Sequence, residues 1–116
     1  MQPHQDGGNL IAQLGSARPQ ARVNALVTLI RIGLPAVPKL VEALQHHNDI
    51  NVRWYAAYAL GLIGDKSAIA ALSAALDDNI YVSHNAHRAL EMIGTPEARA
   101  ALEQWRSRAA NQHAAE

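Results

Sequence analysis

The chain has no cysteine and no phenylalanine, and aromatic residues make up only 4% of its 116 positions. Without cysteine there is no disulfide framework, no thiolate nucleophile and no thiolate zinc site. Metal chemistry would fall to the six histidines and the carboxylates. An excess of one charge is missing too, because ten lysines and arginines balance ten aspartates and glutamates. A chain without a global field does not concentrate polyanions or seek an acidic bilayer, so neither nucleic acid nor a membrane is an expected partner. No apolar run approaches the ~20 residues of a membrane span. Residues 1–8 lack the basic and apolar regions of a secretory signal. Both absences lead to the expectation of a cytoplasmic location.

What the chain does have is alanine and leucine, within an apolar content of 49%. With aromatic residues scarce and phenylalanine absent, that mixture favours helices packed at close range over sheets. The fold expected is all-α.

A fixed period runs through the sequence. Val52-Arg53-Trp54-Tyr55-Ala56-Ala57-Tyr58-Ala59-Leu60-Gly61-Leu62-Ile63-Gly64 aligns with the block from Val82 to Gly94, and with an earlier block from Ala21 to Gly33. Behind each block a second helical pattern follows: Ala36, Val37, Leu40 and Leu44; then Ala68, Ile69, Leu72 and Leu76; then Ala98, Ala101 and Leu102. Apolar residues at this spacing keep one face of a helix buried, so each repeat reads as a helix pair. Gly33, Gly64 and Gly94 stand where a left-handed residue ends a helix at little cost. Asp65 and Thr95-Pro96 restart the chain, and Pro35 and Pro38 fall in a first turn, where a missing N–H matters little. Asn48 to Asn51 and Asp78 to Tyr81 read as Asx-rich turns between repeats.

The reading is a short α-solenoid of about three and a half repeats, roughly seven helices, within residues 9–108. Residues 9–17 form a capping half-repeat, followed by repeats over 19–47, 50–78 and 80–108, the last closed by a polar helix as solubility requires. Residues 1–8 and 109–116 are expected to be tails.

The pattern Val52-Arg53, Ala56-Ala57, Ala59-Leu60-Gly61, Ile63-Gly64-Asp65, Ala68, Leu72, Leu76 and Asp78 resembles the repeat of the PBS-lyase HEAT-like, or E-to-Z, family. The resemblance implies a HEAT-type solenoid. It also implies one functional alternative, an accessory subunit or chaperone related to bilin (phycobilisome) lyases. A second alternative arises through deoxyhypusine hydroxylase, a HEAT-like di-iron enzyme whose ligands are His-Glu pairs near the starts of such helices. His84 matches the histidine of such a pair. Asn85 replaces the glutamate and Trp54-Tyr55 stands in the preceding repeat, so neither a metal nor a cofactor is carried over.

On a helical wheel of ~100° per residue, Val52, Ala56, Ala59, Leu60 and Ile63 share the core side. Arg22 and Arg53 recur in the repeat and are expected to pair with an inter-repeat Asx such as Asp49, or with a carbonyl. Trp54 and Tyr58 lie opposite the core. Their counterparts are Val23 and Val27 in the first repeat and His84 and Arg88 in the third, with Ile30 and Tyr81 as possible extensions. Such a ribbon, apolar with a polar rim, is the usual mark of a contact surface. A competing reading packs Trp54 and Tyr58 against a neighbouring repeat, and a homodimer through the ribbon stays open.

There is no Gly-rich phosphate loop and no nucleophile elbow, so no catalytic residue is assigned. The expected function is a non-enzymatic protein-interaction module or scaffold. Its candidate partner-binding residues are Trp54, Tyr58, Val23, Val27, Tyr81, His84 and Arg88.

Overall fold

The computed structural model describes residues 7–115, with side-chain environments for 9–112. The described residues form seven α-helices: α1 (Gly7–Gln13), α2 (Pro19–Ile32), α3 (Val37–His46), α4 (Ile50–Ile63), α5 (Ile69–Ala75), α6 (Ile80–Ile93) and α7 (Pro96–Ala115). Helices α2, α4 and α6 pack side by side in one layer, and α1, α3, α5 and α7 form the other. The arrangement is the short all-α solenoid that the repeats imply. Most of the tail expected at 1–8 lies outside the described residues, although Gly7 and Gly8 open α1. At the other end α7 runs on past residue 108 to Ala115, through alanine-rich sequence with no glycine or proline to stop it.

Between the layers lies a single apolar core. Leu14, Leu29, Leu40, Leu60, Leu72 and Leu90 are fully buried, and Val52, Ala56, Ala59, Val82, Ala86 and Ala89 sit among them. The small residues set the distance between helices. A Cβ built on Gly61 would stand 2.8 Å from both Cα and Cβ of Ala89, so α4 and α6 touch almost backbone to backbone.

Helix ends show why the repeats are not identical. Gly64 and Gly94 adopt the left-handed conformation, and each amide closes the last turn on the carbonyl four residues back. Gly33 also has positive φ, 74°, but its ψ is −131°, so the left-handed stop expected there is not the one formed. The connection is one residue shorter in the first repeat. In the second, Gly64 ends the helix and Asp65 precedes the 3-10 turn Lys66–Ala68. In the first, Gly33 alone ends α2 and caps the turn Leu34–Ala36, and only glycine reaches that backbone geometry cheaply. The inter-repeat Asx residues do more than turn the chain. Asp49 and Asn79 are N-caps, accepting the Asn51 and Tyr81 amides at 2.8 Å, and Thr95 Oγ1 accepts the Ala98 amide.

The recurring arginine position ties each layer-one helix to the end of the preceding helix. Arg22 donates to the Ser16 carbonyl at 2.7 Å, and Arg53 to the carbonyls of His47 and Asn48. In the third repeat Ser83 serves the same end, donating to the Leu76 carbonyl. The carboxylate partner of Arg53 is not Asp49, which is spent on capping α4. It is Asp78, held by a two-pronged contact at 3.0 and 3.1 Å.

Partial burial raises the Asp78 carboxyl, but the Arg53 hydrogen bonds, the Asn79 amide and the Arg53 charge outweigh it and hold the group below its ordinary 3.8. A carboxylate depressed in the folded state contributes stability that is complete above its unfolded value and lost as pH falls through its folded one. The urea midpoint of the wild type is therefore expected to fall toward that of Asp78→Asn as pH drops below about 4. Two midpoints that stay parallel down to about pH 2.5 would show that the pair adds nothing.

Candidate partner-binding face

The outer side of α2, α4 and α6 carries the ribbon positions in matching helical register. Val23 and Val27 are 47% and 44% exposed, Tyr81 is 65% exposed, and His84 and Arg88 are also exposed. Trp54 and Tyr58 are half-buried rather than fully outward. Their rings stack at 6.0 Å with an interplanar angle of 19°, while Tyr55 meets Trp54 edge-on at 4.8 Å. The two aromatics therefore brace one another and still present one side to solvent. A mutually braced pair of rings loses little further freedom on being covered, which suits a contact anchor.

The face is larger than the pattern suggested. Arg31, Leu62 and Met92 lie four residues beyond Val27, Tyr58 and Arg88, and all are exposed. The same i+4 step would have found them. Ile30, a possible extension, instead packs against the core.

Two side-chain contacts hold these helices in register. Asn85, buried between α4 and α6, donates to the Trp54 carbonyl at 3.1 Å. Arg22 Nε reaches the Tyr55 hydroxyl at 3.4 Å across α2 and α4. Near the start of these helices a cleft of about 440 Å³ is lined by Arg22, Ile50, Asn51, Trp54, Tyr55 and Tyr81.

The histidines of α6 diverge. His84 is exposed on the outer face, whereas His87 turns toward α7, edge-on to Trp105 at 6.0 Å and 3.4 Å from an Arg106 nitrogen. Glu91 approaches the other ring nitrogen of His87 at 3.7 Å. Asn85, next to His84, is committed to a backbone carbonyl. Among the described residues no three histidines or carboxylates converge as metal ligands.

Charge on this layer is lopsided although the whole chain is neutral. Helices α2, α4 and α6 contain Arg22, Arg31, Arg53 and Arg88, and Glu91 is their one carboxylate. Asp78 neutralises Arg53. The others leave the outer face basic as well as apolar.

No curated protein matches this sequence. Among solved structures, human deoxyhypusine hydroxylase in complex with glycerol is similar, with 30% sequence identity and a TM-score of 0.68. That similarity covers 89% of this chain but only 38% of the hydroxylase chain. A family model of HEAT repeats matches residues 9–81 and again residues 37–115. The chain belongs to the HEAT-repeat family.

Proposed function

We propose that this protein is a non-enzymatic interaction module that binds a protein partner through the outer face of α2, α4 and α6. The observation that carries this reading is the set of exposed and half-buried apolar and aromatic side chains at matching positions of three neighbouring helices. It comprises Val23, Val27, the stacked Trp54 and Tyr58, Leu62, Met92 and Tyr81, rimmed by Arg31, His84 and Arg88. Tryptophan, tyrosine and arginine are the residue types most enriched among energetic anchors of interfaces. The middle-repeat pattern further supports kinship with the PBS-lyase HEAT-like subtype, and with it an accessory role in bilin attachment. In that case mixing with free bilin would shift the bilin absorbance.

The hydroxylase reading has less support. Its paired His-Glu ligands have no counterpart at His84-Asn85, whose side chains point to different surroundings.

The Trp54→Ala, Tyr58→Ala double variant tests the face. Neither residue is fully buried, so the helical spectrum and cooperative unfolding should persist. Association with partners retained by the wild type in affinity purification from its source cells should fall at least tenfold, about 1.4 kcal/mol. A folded double variant with an unchanged partner set would remove this face from the account.

A further inference from the structure

We propose that the cleft lined by Arg22 receives an acidic side chain of the partner, which makes that partner a segment in which aspartate or glutamate is flanked by apolar residues. The proposal rests on the outer face being the contact surface, and it names the chemistry that face accepts. The repeat itself supplies the argument. Arg53, the counterpart of Arg22, is matched by Asp78 through two parallel hydrogen bonds. In the first repeat the residue before the helix cap is Asn48, where the second has Asp78.

Arg22 makes no ion pair among the described residues. Its Nη1 is anchored on the Ser16 carbonyl and its Nε leans on the Tyr55 hydroxyl, while no described acceptor engages Nη2. The neighbouring acid, Asp49, gives one oxygen to the Asn51 amide, and a Cβ on Gly15 would lie 2.6 Å from the other. A half-buried guanidinium already oriented by two contacts loses little freedom when it grips a carboxylate, and its planar fork suits that group better than an ammonium would.

The walls of the cleft favour an acid set among apolar residues. Ile50, Trp54, Tyr55 and Tyr81 line the cleft together with Arg22 and Asn51, and Val23, Val27 and Tyr58 lie on the same outer side of α2 and α4. Exposed Arg31 and Arg88 add positive charge on either side of α4. A basic or strongly polar segment would leave the rings uncovered and the arginines opposed.

A random-peptide phage library selected on the immobilised full chain provides the test, with enriched peptides synthesised and their affinities measured by fluorescence anisotropy. Enriched sequences should carry aspartate or glutamate beside leucine, isoleucine or aromatic residues. Changing that acid to its amide should weaken binding about tenfold to a hundredfold. Arg22→Gln, checked for its helical spectrum, should bind the acid and amide peptides alike, and Arg22→Lys should fall between. Acid and amide peptides of equal affinity on the wild-type chain would overturn the proposal without recourse to any variant. Neutral or basic peptides that are lost on Trp54→Ala, Tyr58→Ala would overturn it while sparing the contact face. Peptides indifferent to that double variant, or no enrichment at all, would sink both.

Discussion

Gly61→Val is expected to destabilise the array by about 3 kcal/mol, the upper end of the usual overpacking cost. The added Cβ would meet Ala89 Cα and Cβ at 2.8 Å, and backbone cannot rotate aside as a flexible side chain can. The strain is relieved only if α6 moves away from α4, which would stretch the Asn85 to Trp54 bond and leave a buried amide poorly satisfied. For a domain of this size the thermal midpoint should drop by about 10–20 °C. Gly61→Ala sharpens the test, because the two influences oppose each other. Alanine would favour an isolated helix by about 1 kcal/mol, yet the same Cβ contact predicts a net loss. A circular-dichroism melt in which Gly61→Ala gains stability would show that the helices are not in contact there.

Leu60→Ala should cost about 2–5 kcal/mol, since the removed atoms come from a fully buried side chain in the middle repeat. In a solenoid each repeat is held by its neighbours, so a cavity at the centre weakens the interfaces on both sides. Leu102 belongs to α7, the last helix, and has repeat neighbours on one side only. Its alanine variant should lose less and fray locally. The comparison is read by urea unfolding of the two variants, and equal losses would argue against a linear, nearest-neighbour core.

Most of the architecture was legible in the sequence because its determinants are local and repeated. The apolar spacing of Val52, Ala56 and Leu60 marks a helix wherever it occurs, and a glycine at a fixed offset marks the stop. What escaped depended on neighbours. The ψ of Gly33 follows from a connection one residue shorter than that after Gly64, and pairwise alignment of blocks does not announce such a difference. The acid that answers Arg53 lies 25 residues on, brought near by the return of α5 rather than by adjacency in sequence. A wheel for one helix sets Trp54 and Tyr58 opposite the core side, but it cannot show that the two rings stack and are half-buried. Leu62 and Met92 were readable from the same register as Tyr58 and Arg88.

The contact face is the claim on which the functional reading depends, and backbone amide shift mapping tests it most directly. On addition of a selected peptide to isotope-labelled full chain, the account predicts perturbations centred on Val23, Val27, Trp54, Tyr58, Tyr81, His84 and Arg88. The exposed positions of α3, α5 and α7 should stay unmoved. Shifts concentrated in that second layer, with the Trp54 and Tyr58 amides unchanged at saturation, would contradict it.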